Sequence, residues 1–295
     1  MKRRLFSRTA VFFALVSFGL ATAGYTSYWR DCAALRAYAA QVAIGTADPQ
    51  ERVLALLDWV HSETGTAKNA SFFLLPHLGA TPWQVLESGG DCADKSRLLS
   101  SMLRQLDIPA TMAMCINPQT SKPSHTVVEA RIGPNEYMVV DPAFDLAFPR
   151  PGRTGYYGLL ELRKDPAILH RRLEELAAAL PRTHPLHSYN RTAAVYDRAM
   201  TINWGKNSLT GLVHDVLMTR LGDGIYRLPR PLLLEEPKLF VGTSALMCGA
   251  LLVLAAVCGR KREEDTRRRP RERPRSALLQ KARLALEPEP EQPEA

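Results

Sequence analysis

Two long apolar runs, one towards each end of the chain, constrain its architecture more than any other feature. Residues 9–29 and residues 239–259 each comprise 21 residues without a formal charge. A helix that crosses about 30 Å of hydrocarbon needs roughly 20 apolar residues, so both runs are long enough to span a membrane. The sequence therefore predicts two transmembrane helices with residues 30–237 between them.

Basic residues beside these runs indicate their orientation. Residues 1–8 carry four basic and no acidic side chains, and residues 260–275 carry nine basic side chains. Lys and Arg are enriched on the cytoplasmic side of membrane helices. Both termini are therefore predicted to be cytoplasmic. The segment between the runs is predicted to be extracytoplasmic, which in a bacterium with two membranes means periplasmic and anchored in the inner membrane.

The first run has a second interpretation. The apolar stretch 10–20, followed by the small residues 21–23, also fits a cleavable signal peptide. Tyr25, Tyr28 and Trp29 are instead typical of the interfacial aromatic belt of a retained anchor. Retention is the favoured interpretation, and the location of the central segment is the same in both cases.

The distribution of charge argues against a nucleic-acid-binding protein. The formal net charge is +8, but residues 30–236 carry 22 basic and 22 acidic side chains. Domains that bind nucleic acids usually concentrate basic charge on their folded surface to neutralise phosphates. Here the excess lies only beside the apolar runs, where it sets orientation and could also contact anionic membrane lipid.

The segment after the second apolar run has the composition of a disordered tail. Residues 260–295 are rich first in Arg and Pro and then in Glu and Pro. Such a composition buries too little apolar surface to offset the entropy lost on ordering. We therefore expect a disordered cytoplasmic tail.

A helix with a cysteine in its first turn is predicted near the middle of the domain. Residues 89–96, GGDCADKS, precede a buried helix face, and Asp91 is the expected N-cap of a helix that ends at residues 107–109. The helix N-terminus would stabilise the thiolate of Cys92, which is the nucleophilic form. A buried, inert cysteine after a tight turn is the alternative. The apolar face consists of Leu98, Leu99, Met102, Leu103 and Leu106.

An antiparallel hairpin is predicted shortly after this helix. Residues 124–132 and 137–142 are β-rich runs around a Gly/Pro/Asn turn. His125 opens the first strand and Asp141 closes the second, so the two should lie within two or three residues of each other. Cys92, His125 and Asp141 are thus the candidate nucleophile, base and orienting carboxylate.

These motifs together resemble a known family. The run GGDCADKSRLLSSMLRQLDIPA, with HTVVEA 33 residues after the Cys and the Asp of YMVVDP 16 residues later, resembles the transglutaminase-like superfamily of papain-type cysteine enzymes. The likeness extends over about residues 50–150. It implies an α+β fold in which a helix with nucleophile Cys92 at its N-terminus packs on an antiparallel sheet carrying His125 and Asp141.

The resemblance also suggests residues that could stabilise an oxyanion. Trp83 and Gln84 lie upstream of the cysteine, where such enzymes often place an oxyanion-stabilising group. A packing aromatic and a solvated amide are the alternatives. Thr126 and Val127 depart from the family, because many members have an aromatic residue soon after the His.

The activity that the resemblance implies is acyl transfer through a thioester. Water as acceptor would make a peptidase or amidase acting on a protein or peptide substrate at the cell envelope, and hydrolysis is favoured. A second amine would make a cross-linking acyltransferase. A catalytically silent binding or scaffold module in envelope or exopolysaccharide assembly is the competing hypothesis. No metal-binding or nucleotide-binding motif occurs, so no cofactor is expected.

The remaining segments complete the expected organisation. Residues 30–150 should form the transglutaminase-like domain, and residues 151–237 a helical membrane-proximal subdomain with helices at 158–180 and 208–221. Further helices are expected at residues 34–43 and 49–62. In an oxidising compartment Cys32 and Cys115 could pair and leave Cys92 free, although spacing alone does not establish that pairing.

Overall fold

The computed structural model describes residues 2–65, 72–181, 184–189 and 196–268. The chain divides into two compact units. One contains the residues up to Gly19 together with those from Ala245 onward, and the other is Leu20–Ser244.

An antiparallel sheet lies at the centre of the larger unit. In the described part of the chain it has five strands in the order β4-β3-β2-β1-β5. Strands β2 and β3 form the predicted hairpin, with Val128 opposite Val140 and Arg131 opposite Tyr137, so that prediction is confirmed. The strands are β1 Ala110–Ile116, β2 Pro123–Arg131, β3 Tyr137–Asp141, β4 Leu146–Ala147 and β5 Ala199–Met200.

The described residues include helices of very different length. They are α1 Lys2–Val42, α2 Pro49–Glu63, α3 Pro82–Ser88, α4 Cys92–Gln105, α5 Leu159–Lys164, α6 Ala167–Ala179, α7 Ser208–Leu221, α8 Leu232–Glu235 and α9 Pro237–Arg268. The prediction of a single helix at residues 158–180 is wrong, because α5 and α6 are separate helices. Pro166 lies between them, and a proline has no N–H to continue a helix and clashes with the preceding turn.

Helix α4 forms as its sequence predicts. The Asp91 Oδ1 accepts hydrogen bonds from the backbone N–H groups of Ala93 at 2.9 Å and Asp94 at 3.2 Å. This cap satisfies donors that the first helical turn leaves unpaired. The apolar face packs in one cluster with Val128 and Val140 of the sheet. It consists of the fully buried side chains of Leu98, Leu99, Met102 and Leu103.

Parts of the segment after residue 150 contact the central sheet. Strand β5 pairs with β1, with Ala199 opposite Cys115, and therefore extends the central sheet. Glu129 of β2 accepts hydrogen bonds from the backbone N–H of Leu159 at 2.8 Å and from Arg227 Nε at 2.9 Å. The composition of this segment predicts helices and gives no signal for the two-residue strand or for the ion pair of Arg227 with Glu129 that join it to the sheet.

Two of the helices are long and apolar enough to cross a membrane. Among the described residues these stretches are Arg8–Val42 of α1 and Pro237–Gly259 of α9. Within the larger unit the two helices approach closely, since a Cβ atom on Gly24 would lie 3.2 Å from the Cα of Gly242. Small residues allow this approach in membrane helix pairs. The Lys238 Nζ also lies 2.5 Å from Asp31 Oδ2.

The last helix extends into the segment that was predicted to be a disordered tail. Helix α9 continues to Arg268, so the expectation of disorder is wrong for residues 260–268. Arg, Lys and Glu, which dominate these nine residues, have high helix propensity, and the first proline follows at Pro270. The remainder of the expected tail, residues 269–295, lies outside the described residues.

The disulfide considered between Cys32 and Cys115 is not formed. Both cysteines are buried and free. Cys32 lies on α1 and hydrogen-bonds to the side chain of Tyr28 one turn earlier. Cys115 lies on β1 in an apolar cluster that includes Val127 and Tyr196. The two thiols therefore contact different neighbours and do not meet.

The loop before α4 contains a close backbone contact. Gly89 has a φ of +76°, and a Cβ atom there would lie 2.7 Å from the carbonyl oxygen of Gly65. The N–H of Gly90 donates to that same carbonyl at 3.2 Å. A side chain at position 89 would therefore displace the loop that leads into Cys92.

We expect Gly89→Ala to lower the unfolding temperature more than Gly152→Ala. Both positions have a positive φ, which costs an alanine about 1–2 kcal/mol, but a Cβ on Gly152 meets nothing within 4 Å. The difference between the two variants isolates the contact with Gly65. Thermal unfolding in detergent measures it, and equal losses would contradict the close approach.

Candidate active site

Cys92 is the first residue of α4 and is partly exposed. It therefore lies where the positive end of the helix dipole stabilises a thiolate. Cys115 of the neighbouring β1 is fully buried, and burial raises the pKa of its thiol well above the ordinary value. Of these two thiols, only Cys92 has both access to solvent and a helix N-terminus.

His125 and Asp141 form a buried pair on adjacent strands. The His125 Nε2 lies 2.6 Å from Asp141 Oδ2, a distance typical of a charge-assisted hydrogen bond. The exposed fractions are 7% for His125 and 0% for Asp141. The other carboxylate oxygen, Oδ1, accepts a hydrogen bond from the N–H of Ala143 at 3.0 Å. Both oxygens of Asp141 are therefore engaged.

The surroundings of His125 favour its protonated form. Burial by itself lowers the pKa of the imidazole, but the charge of Asp141 and hydrogen bonds with Asp141 and Cys92 raise it to about 10. Since Nε2 is engaged by Asp141, Nδ1 is the ring nitrogen left for the thiol. The imidazole therefore lies within hydrogen-bonding reach of both the Asp141 carboxylate and the Cys92 thiol.

Helix α2 connects the segments that carry Cys92 and Asp141. Lys95, one turn after Cys92, is almost fully buried and donates through Nζ to the carbonyl of His61 at 3.0 Å. Burial lowers the pKa of this amine. The His61 Nδ1 lies 3.4 Å from the carbonyl oxygen of Pro142, the residue after Asp141. The expected triad residues are thus held by one continuous set of contacts.

Three aromatic side chains, Tyr189, Tyr196 and Phe144, complete the environment of the His125–Asp141 pair. The Tyr189 hydroxyl lies 3.3 Å from Asp141 Oδ2 and 3.4 Å from the hydroxyl of Tyr196. The ring of Phe144 packs against the rings of both His125 and Tyr189. The sequence carries no local signal for these contacts, because Tyr189 lies 48 residues after Asp141.

Trp83 and Gln84 lie on α3 and are engaged locally. The Trp83 Nε1 donates to Glu87 Oε1 at 2.7 Å, one turn further along the helix. The Gln84 Oε1 accepts from the backbone N–H of Thr81 at 2.9 Å as part of a capping box. These contacts explain both side chains as parts of α3, and neither contact directs a polar group to Cys92. The expectation that they stabilise an oxyanion gains no support.

Within the described residues, no cluster of three or more His, Cys, Asp or Glu side chains is placed to hold a metal ion.

Comparison with known families agrees with this geometry. Residues 36–142 match the family described as the transglutaminase-like superfamily. The match includes Cys92, His125 and Asp141, together with the helix and the hairpin that carry them. The α+β fold therefore contains a domain of the transglutaminase-like superfamily over these residues.

Two solved structures are similar to part of the chain. A candidate cysteine protease from Cytophaga hutchinsonii is 20% identical, with 38% of this chain and 37% of that chain covered and a TM-score of 0.32. A candidate protease from Parabacteroides distasonis ATCC 8503 is 15% identical, with 44% and 30% covered and a TM-score of 0.29. The chain thus spans less than two fifths of either protein. Comparison with curated proteins found no match.

The raised pKa of His125 predicts how stability depends on pH. The folded protein binds this proton more tightly, because the pKa rises from 6.5 to about 10. The resulting stabilisation is fully present below about pH 6.5 and is lost as the pH rises through about 10. Asp141→Asn removes the negative charge that does most to raise the pKa of His125.

We therefore expect the difference in unfolding temperature between the wild type and Asp141→Asn to shrink as the pH rises from about 6 to about 10. Thermal unfolding across this range measures the difference. His170→Ala, at an exposed position of α6, is the control and should show no such trend. A pH-independent difference for Asp141→Asn would contradict the stabilised imidazolium.

Proposed function

We propose that the chain is a membrane-anchored cysteine enzyme of the transglutaminase-like type that hydrolyses amide or peptide bonds at the cell envelope. The observation that carries the proposal is the contact of His125 with both Asp141, at 2.6 Å, and Cys92 at the N-terminus of α4. Nucleophile, base and orienting carboxylate within hydrogen-bonding reach of one another define a site for nucleophilic catalysis.

The first half of the reaction forms a thioester. The Cys92 proton passes to His125, and the thiolate attacks the carbonyl carbon of the amide. The oxyanion is stabilised at the N-terminus of α4, where Asp91 caps the N–H groups of Ala93 and Asp94 and leaves the N–H of Cys92 as a donor. The C–N bond then breaks, and the amine leaves with the proton from His125.

The second half regenerates the enzyme. His125 takes a proton from water, and the resulting hydroxide attacks the thioester carbonyl. The C–S bond breaks, the carboxylic acid leaves, and the thiolate remains beside the imidazolium. Asp141 keeps the imidazole oriented in both halves. An amine in place of water would give a new amide, which is the cross-linking alternative.

The location of the enzyme is also a proposal. It is supported by two helices that are long and apolar enough to span a membrane and by the basic residues that flank their apolar runs. In this topology the termini are cytoplasmic and Cys92 faces the periplasm. The substrate would then be a protein or peptide of the envelope.

We expect Cys92 to react rapidly with iodoacetamide at about pH 6, below the ordinary thiol pKa of roughly 8.5. His125→Ala should slow this labelling by about tenfold or more, because it removes the group that holds the proton. The measurement is the rate of labelling of each cysteine in the full chain, resolved by peptide mass. Buried Cys115 is an internal reference that should stay unlabelled.

His170→Ala serves as the matched control for the labelling experiment, since its ring is exposed on α6. It should leave the rate at Cys92 unchanged. Labelling that appears only near about pH 8.5 and is insensitive to His125→Ala would favour the silent binding module instead.

We expect Cys92→Ala and His125→Ala to abolish turnover. Cys92→Ala should change the unfolding temperature little, whereas His125→Ala should lower it, because the buried carboxylate of Asp141 loses its 2.6 Å partner. Asp141→Asn should retain partial activity with a misoriented imidazole. Turnover is measured as new amine termini released from an envelope-peptide mixture. Wild-type turnover in all three variants would rule out the triad.

The same assay separates hydrolysis from acyl transfer. Hydrolysis in heavy-oxygen water places the heavy oxygen in the new carboxylate, whereas transfer to an added primary amine yields a new amide. We expect the labelled carboxylate to dominate. Dominance of the amide product would make the protein a cross-linking acyltransferase.

A further inference from the structure

We propose that Tyr189 is a positioning residue for the His125–Asp141 pair, through the hydrogen bond that its hydroxyl donates to Asp141. This inference rests on the proposed function, since it assigns a further role at the same site. Tyr189 lies 47 residues beyond residue 142, where the family match ends. This contact with the His125–Asp141 pair therefore comes from a part of the chain outside the matched residues.

The contact with Asp141 is direct. The Tyr189 hydroxyl lies 3.3 Å from Oδ2 of Asp141, the same oxygen that His125 Nε2 approaches at 2.6 Å. A carboxylate oxygen has two lone pairs and can accept both hydrogen bonds. Asp141 is fully buried, and a buried carboxylate is unfavourable unless hydrogen bonds replace its lost hydration.

The direction of the hydrogen bonds follows from the number of protons. Tyr189 has one hydroxyl proton, and Asp141 as a carboxylate can only accept. The Tyr189 hydroxyl is the donor both towards Asp141 Oδ2 at 3.3 Å and towards the Tyr196 hydroxyl at 3.4 Å, and the carboxylate is the stronger acceptor of the two. Burial raises the pKa of both phenols well above the ordinary value, which keeps both protons in place.

The ring of Tyr189 also restricts the imidazole. It meets the His125 ring edge to face, with the centroids 6.1 Å apart. Phe144 packs against Tyr189 at 4.6 Å and against His125 at 5.9 Å, so the three rings form one cluster. Tyr189 thus contacts both members of the pair, His125 through its ring and Asp141 through its hydroxyl.

The lengths of these contacts set the size of the expected effect. Separations of 3.3 and 3.4 Å exceed the roughly 2.7–2.8 Å of a strong hydroxyl hydrogen bond. Tyr189 should therefore contribute less than the 2.6 Å contact of His125 with Asp141. A weak hydrogen bond to a charged group corresponds to about a tenfold change in rate.

The test compares Tyr189→Phe, Tyr196→Phe and the control Tyr157→Phe, a partly buried tyrosine on the same apolar cluster. All three keep the ring and remove one hydroxyl. The first readout is the rate of Cys92 alkylation against pH in the full chain. The second is titration of the His125 signal in protein with carbon-labelled histidine, from about pH 5 to about pH 11, which spans the range in which His125 titrates.

For Tyr189→Phe we expect alkylation to slow by about tenfold, because the imidazole is no longer held in one orientation towards Cys92. We also expect the His125 titration to move to higher pH. The upward shift follows because the lost hydrogen bond returns negative charge to the Asp141 oxygen that faces the imidazole. Tyr196→Phe removes the acceptor that competes with Asp141 for the Tyr189 proton, so it should shift both readouts by a smaller amount in the opposite direction. Tyr157→Phe should leave both unchanged.

An unchanged alkylation profile and an unchanged His125 titration in Tyr189→Phe would overturn the inference. If Tyr189→Phe does not fold, Tyr196→Phe decides by the same two readouts, since its hydroxyl touches neither His125 nor Asp141. Wild-type Cys92 that does not react would refute the proposed function separately. The titration of His125 would still decide the role of Tyr189 in that case.

Discussion

The fully buried carboxylate of Asp141 is the constraint on which the rest of the site depends. Taking an ionised carboxylate out of water is costly unless close donors compensate it. Three donors surround it: the imidazole of His125 at 2.6 Å, the N–H of Ala143 at 3.0 Å and the hydroxyl of Tyr189 at 3.3 Å. They come from three separate segments, so the strand that carries Asp141 is stable in this environment only when all three are assembled.

The helix that carries the nucleophile is subject to a similar constraint. Lys95 is as deeply buried as the apolar residues of α4, and its amine reaches a carbonyl at the C-terminal end of α2. A helix C-terminus offers unpaired carbonyls and a partial negative charge, which suits a cation. The position of Cys92 relative to His125 is thus linked to the docking of α2, which carries no residue of the proposed triad.

How far the sequence predicts the structure depends on the range of the interactions. The cap at Asp91, the apolar face of α4 and the turn of the hairpin are local signals, and from them the approach of His125 to Asp141 follows. Trp83 and Gln84 show the limit, because position upstream of a cysteine does not reveal that both side chains are engaged within α3. The role of Tyr189 could not be predicted from local sequence signals, because its contact with Asp141 depends on how a segment 48 residues away packs against the sheet.

The way the later segment joins the sheet determines where the protein can be divided. A fragment that ended at residue 150 would expose the edge of β1 that β5 covers and would leave buried Glu129 without Arg227. It would also remove Glu235 and Glu236, which pair with Arg104 of α4. Open sheet edges and unpaired buried charges favour aggregation over folding. A fragment that keeps these contacts therefore extends at least to Glu236, immediately before α9.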